Sequence, residues 1–210
     1  MLVCLPPTLV ERAARIAAGR IAIGGEDCSV GISGASTGDV SAEMLRGAGA
    51  SAVIVGHSER RRLHGETDII VGAKAKAARR AGLLAIICIG ETQAERDSGN
   101  ALNVSGEQIA GSVPQDVDAA EIVIGYEPLW AIGTGHVPTI REVTEMHAHI
   151  RQCLTELLGA RGRLVRILYG GSIKPDNAAA ILAIHEVSGA LVGGASLVAD
   201  DFEAIFRAVP

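Results

Sequence analysis

Aromatic side chains are nearly missing from this 210-residue sequence, making up 2% of it against 48% hydrophobic residues overall. The core must therefore be filled by Ala, Val, Ile and Leu, small and branched residues that suit parallel strands buried beneath helices. Clustered cations are missing too. Lys and Arg number 19 against 24 Asp and Glu, for a formal charge of −5, and the longest basic run is Arg60-Arg61-Arg62. Nucleic-acid binding needs a concentrated basic footprint, so a soluble acidic protein is expected instead.

Other absences narrow the class further. The four cysteines, Cys4, Cys28, Cys88 and Cys153, include no Cys-x-x-Cys pair. A chain long enough for one large core needs no disulfide framework, so buried free thiols are expected. His147 and His149 stand two apart, which on a helix points them to different faces, so no metal site is expected. No apolar run approaches the roughly 18 residues of a spanning helix, so no membrane is expected as a partner. The opening Met1-Leu2-Val3-Cys4-Leu5-Pro6-Pro7 lacks the charged region and cleavage site of a signal peptide, and a cytoplasmic location is expected.

What is present is a regular alternation, with no stretch that reads as an interdomain linker, so one domain over 1–210 is expected. Short apolar runs at 2–5, 29–32, 52–55, 84–89, 122–125, 165–169 and 190–192 read as buried strands. Helical stretches lie between most of them. Thr8 precedes the amphipathic run Leu9, Ala13, Ile16, Ala17. The segment 68–80 ends at Gly82, and Thr139-Ile140-Arg141-Glu142 has the form of a capping box opening a helix to about Leu158. Strand alternating with helix gives an all-parallel sheet with right-handed crossovers. An open doubly wound sheet and a barrel both fit, although no Gly-x-Gly-x-x-Gly follows the first strand.

Ligands of parallel sheets bind where the strands end, and unusual residues gather there. Gly56-His57-Ser58-Glu59 follows the run at 52–55. Gly90-Glu91 follows that at 84–89, and Tyr126-Glu127-Pro128-Leu129-Trp130-Ala131-Ile132-Gly133-Thr134-Gly135 follows that at 122–125. Gly170-Gly171-Ser172 and Gly193-Gly194-Ala195-Ser196 follow the last two runs. Paired glycine-rich turns let backbone N–H groups approach an anion, which describes a phosphate cradle. Glu127 precedes a stiff proline, two apolar residues and a small glycine-rich tip, the composition of a lid that raises the basicity of a carboxylate beneath it. His57 opens a polar turn, where a neutral imidazole can donate to a substrate oxygen. Base, donor, cradle and lid together suit proton abstraction beside a carbonyl in a small phosphorylated sugar.

At these residues the sequence resembles the triosephosphate isomerase family. The matching blocks are Gly56-His57-Ser58-Glu59-Arg60-Arg61, Cys88-Ile89-Gly90-Glu91-Thr92, the stretch from Tyr126 to Gly135, Tyr169-Gly170-Gly171-Ser172 and the stretch from Gly189 to Leu197. Residues 34–45 resemble the family's dimer-forming loop, and the likeness runs in order from 1 to 210. It implies a TIM (β/α) barrel of parallel strands and outer helices. It implies an isomerase interconverting dihydroxyacetone phosphate and D-glyceraldehyde 3-phosphate in glycolysis and gluconeogenesis, with no cofactor and no metal. By the same resemblance Glu127 is the base and His57 the electrophile. Gly133, Ser172, Gly193 and Gly194 hold the phosphate, while Glu59, Cys88 and Thr37 have supporting roles. Thr37 lies in the loop expected to enter a neighbour's active site, so a homodimer or other homo-oligomer is implied.

One departure modifies these expectations. The family begins with a strand ending in Asn-x-Lys, whose lysine helps neutralise the substrate, and the resemblance here starts at the family's second strand, 2–5. The only lysines are Lys74 and Lys76, on a surface-type helix, and Lys174, after the phosphate turn. An altered or incomplete barrel is therefore expected: a seven-strand closure, a split barrel, an edge covered by a partner chain, or a recruited eighth strand. Weakened catalysis is expected with it. The alternative is a non-catalytic phosphate-ligand binder or scaffold relative.

Overall fold

The computed structural model describes residues 1–132 and 136–210. They form two compact units, Met1–Cys88 with Gly111–Val123, and Ile89–Ala110 with Ile124–Pro210.

The first unit alternates β1 (Leu2–Leu5), α1 (Pro7–Ala17), β2 (Ala22–Gly25), α2 (Ala42–Gly47), β3 (Ala52–Val55), α3 (Ser58–His64), α4 (Asp68–Arg80) and β4 (Leu84–Ile89, all but its last residue). The strands pair in parallel in chain order, with Val3 beside Ile23, Gly25 beside Val53 and Val53 beside Ala85. Local chemistry explains the helices. Pro7 stands at the start of α1, where a missing N–H leaves no bond unmade. The Thr67 hydroxyl accepts the Ile70 N–H to open α4, and Gly82, at φ 70°, takes the left-handed turn after its end. Val71, Ala75 and Ala78 of α4 and Val53, Val55, Ala85 and Ile87 of the strands are fully buried, the small-residue core that the composition requires.

Two expectations are corrected here. The second strand lies at Ala22–Gly25, not at 29–32, where the chain bends, Val30 and Ile32 are exposed, and only Ser29 makes an isolated bridge, to Ser41. Glycines fill the true strand because neighbours press on it. A Cβ on Gly24 would lie 2.8 Å from the Cys4 sulfur, and one on Gly25 would lie 2.8 Å from a Leu45 methyl. Lys74 is not a surface residue either. It is buried, and its ammonium donates to Asp27 at 2.7 Å and to Glu66 at 2.6 Å, with Arg60 on the same two carboxylates. Burial opposes ionisation of Glu66, but Lys74 and Arg60 outweigh it and hold the carboxyl below its ordinary range.

The second unit holds α5 (Gln93–Asp97), most of α6 (Ala101–Ser112), the end of β5 (Ile122–Tyr126), α7 (Ile140–Leu158), β6 (Arg166–Tyr169), α8 (Ala178–Leu182) and α9 (Ala199–Arg207). Thr139 and Glu142 form the expected capping box, and α7 runs to Leu158. The 190–192 run is not a strand among the described residues. Tyr169 bridges Ala190 in parallel, receiving the Leu191 N–H and donating to Gly189, so pairing is confined to one position. Gly189, at φ 152°, stands immediately before the bridged residue, and Gly193-Gly194 beyond the run are exposed.

No helix among the described residues is long and apolar enough to cross a membrane.

Candidate active site

In the first unit, β3 ends at Val55, and Gly56 after it, with a φ of 68°, turns the chain out of the sheet into α3. A side chain there would strike Val71, with a Cβ only 2.6 Å from its Cγ1. His57 is the N-cap of α3. Its backbone is extended, and its Nδ1 accepts the Glu59 backbone N–H at 3.3 Å. The Glu59 carboxylate lies 3.9 Å from the same nitrogen, beyond hydrogen-bond range, and is mostly exposed. An Nδ1 that accepts carries no proton, so a neutral ring keeps its proton on Nε2. Cys88, at the end of β4, is fully buried, and Thr37 is exposed on the 34–41 loop.

In the second unit Glu127 leaves β5 with its N–H donated to the Ile89 carbonyl at 2.7 Å, and it is only 2% exposed. Glycines make room for it. A Cβ on Gly90 would fall 1.8 Å from the Glu127 carbonyl oxygen, and one on Gly170 would fall 3.1 Å from its Cγ. The Gly170 N–H donates to Tyr126, which draws the turn leading to Ser172 against this end of β5. That turn is pinned by Asn177, whose side chain donates to the Ser172 carbonyl and accepts the Lys174 N–H. At Gly193 and Gly194 an added Cβ would meet nothing within 4 Å, so packing does not require glycine at either position. Gly133 lies outside the described residues.

A buried carboxylate organises the residues at and just after the end of β5. Glu91, fully buried, accepts from the Trp130 indole at 2.8 Å, the Tyr126 hydroxyl at 3.1 Å and Arg96 at 3.1 Å, all on one oxygen. Arg96 lies 4.5 Å above the Trp130 ring and donates also to Glu142, the third residue of α7. Burial raises Glu142, but the Thr139 N–H and Arg96 outweigh it and keep its carboxyl below the usual range. Burial, then Glu91, push the Tyr126 phenol well up, so it remains a donor. Thr92, Gln93, Leu129, Trp130 and His136 line a cavity of about 410 Å³ beside these residues. The sequence marks Glu91 as unusual but gives it no partners. A lone acid ending an apolar strand, with an arginine five residues on, is the signal that points to this cluster.

Residues 1–209 match the triosephosphate isomerase family model. The triosephosphate isomerases of Afipia carboxidovorans and Rhodopseudomonas palustris are 59% and 57% identical to the chain, each match covering all of it and 84% of the relative. The crystal structure of triosephosphate isomerase from Bartonella henselae superimposes with a TM-score of 0.94 at 48% identity, over 99% of this chain and 85% of that one. The parallel strands with intervening helices are those of a TIM (β/α) barrel protein. The chain belongs to the triosephosphate isomerase family.

Proposed function

We propose that this chain interconverts dihydroxyacetone phosphate and D-glyceraldehyde 3-phosphate through an enediolate, without cofactor or metal, as one catalytic domain. The observation that carries the reading is Glu127, an almost fully buried carboxylate leaving an apolar strand, with glycines at 90 and 170 cut to its outline.

The roles are those established for the family. Glu127 removes a proton from the hydroxyl-bearing carbon, and the electron pair moves to the carbonyl oxygen. His57 meets that oxygen with its Nε2–H, moves protons between the two enediolate oxygens, and Glu127 returns its proton to the neighbouring carbon. The Glu59 N–H on Nδ1 supports this tautomer. Ser172, Gly193, Gly194 and Gly133 hold the phosphate, and open space at Gly193 and Gly194 supports that assignment. Cys88 and Thr37 support the site. A binder without turnover is not favoured, because the relatives are named as isomerases. The reading places the enzyme in the cytoplasm as a homodimer or other homo-oligomer. The exposed Val30, Ile32 and Met44, beside and within the stretch that resembles the dimer loop, support the second point.

Proton abstraction is tested apart from full turnover by following dihydroxyacetone phosphate in heavy water by NMR. Deuterium is expected to enter the hydroxyl-bearing carbon with the wild-type chain and far more slowly with Glu127→Asp. Equal exchange by both proteins would refute the base.

A further inference from the structure

Arg61 uses its guanidinium in an unusual way. Its Nη1 donates to the Asp68 carboxylate at 2.6 Å, an ordinary ion pair. The other nitrogens turn to backbone. Nε donates to the Gly56 carbonyl at 2.9 Å, and Nη2 donates to the Cys88 carbonyl and to the Ser112 hydroxyl, each at 3.1 Å. The Ser112 hydroxyl in turn donates to Asp68 at 3.1 Å, which closes the group. The Arg61 backbone N–H also donates to the His57 carbonyl at 3.0 Å. The guanidinium thus holds the carbonyl that precedes His57 and ties it to the end of β4. The backbone bond to the His57 carbonyl is the ordinary first-turn bond of α3 and does not depend on the side chain.

These contacts have a geometric consequence. Gly56 leaves the sheet in a left-handed turn, so its carbonyl no longer points along the ladder, and Arg61 supplies its donor. A rigid planar fork fixes two strand ends against each other, which a lysine, a single charge on a flexible stem, cannot do. The side chain is 17% exposed, so water competes weakly for these bonds.

We propose that Arg61 is a positioning residue for His57, setting the angle at which the imidazole leaves β3. This rests on the reading of His57 as the electrophile. It requires that loss of the fork displace the ring while leaving phosphate binding, which lies on other residues, in place.

The test uses the full 210-residue protein with Arg61→Ala and Arg61→Lys, the lysine keeping the Asp68 pair in case the alanine variant does not fold. We expect kcat to fall about 10- to 100-fold, the loss typical of a misplaced reacting group, with KM within about threefold. Guanidinium ion should restore part of kcat to Arg61→Ala. The ¹⁵N signals of the His57 ring, identified by their loss in His57→Gln, should move in both variants and return with guanidinium. Folded variants with wild-type kcat and unmoved His57 signals would overturn the proposal. Should the wild-type chain itself show no isomerisation, the activity reading falls, and the His57 signals still decide. Displacement on losing Arg61 supports positioning, and no displacement overturns it.

Discussion

The backbone N–H of Glu59 donates to Nδ1 of His57 across 3.3 Å, so the first turn of a seven-residue helix selects the imidazole tautomer. With Nδ1 accepting, the proton of a neutral ring is on Nε2, the donor that the proposed role requires. His57→Gln keeps an N–H donor but cannot pass protons between two oxygens. Its kcat should fall about 10²-fold or more with little change in melting temperature, as read by steady-state kinetics beside thermal unfolding.

Glu91 predicts a spectroscopic change. The chain has one tryptophan, Trp130, whose indole donates to this buried carboxylate while Arg96 covers its ring. Glu91→Gln keeps one oxygen to accept from the three donors but removes the charge that strengthens those bonds. It also buries an amide NH2 where the second carboxylate oxygen has no partner among the described residues. Unfolding in urea should show about 1–3 kcal/mol of destabilisation, and the fluorescence of Trp130 should shift to the red. Unchanged emission would mean that Trp130 is held by something else.

Much of this was legible in the sequence, and the failures have definite causes. Capping chemistry placed α7, because Thr139 and Glu142 act locally and need no tertiary partner. The second strand was hidden because its glycines answer to Cys4 and Leu45, remote residues that no local pattern reveals. The run at 29–32 read as a strand because Val and Ile favour strands, yet both are exposed. Lys74 read as surface because lysine usually is, and its burial depends on Asp27, 47 residues away in sequence. Glu127 and His57 stand out in the sequence because each lies within two residues of the end of an apolar strand. The residues holding their surroundings, Glu91, Arg96 and Arg61, act through contacts that only folding creates.

Two glycine substitutions should separate packing from phosphate binding. Gly90→Ala drives a methyl into the Glu127 carbonyl, which is backbone and cannot swing aside, so a loss of about 3 kcal/mol or more is expected, with activity falling alongside. Gly193→Ala meets only open space and should stay within about 0.5 kcal/mol of wild type. Under the proposed phosphate role it should still raise KM about tenfold, roughly the loss of one hydrogen bond to a charged group. Urea unfolding and kinetics on the same preparations check both.

His147 makes stability depend on pH. It is fully buried on α7 against Tyr126 and Tyr169, with Nδ1 donating to the Glu186 carbonyl and Nε2 without a partner. Burial pushes its pKa down to about 4 from 6.5, and the Glu186 contact and charge offset this only partly, while Arg151 adds to it. Between those values the unfolded chain binds more protons than the folded one, so stability falls as pH drops from about 6.5 to about 4, by at most about 3 kcal/mol from this group. Denaturant unfolding across that range should show the slope, and His147→Leu should flatten it.

The central claim is tested most directly by a coupled isomerisation assay on the purified 210-residue chain beside its Glu127→Asp variant. Turnover of dihydroxyacetone phosphate by the wild type, cut by about 10²-fold or more in the variant, is the predicted result. The same background rate from both proteins would contradict it.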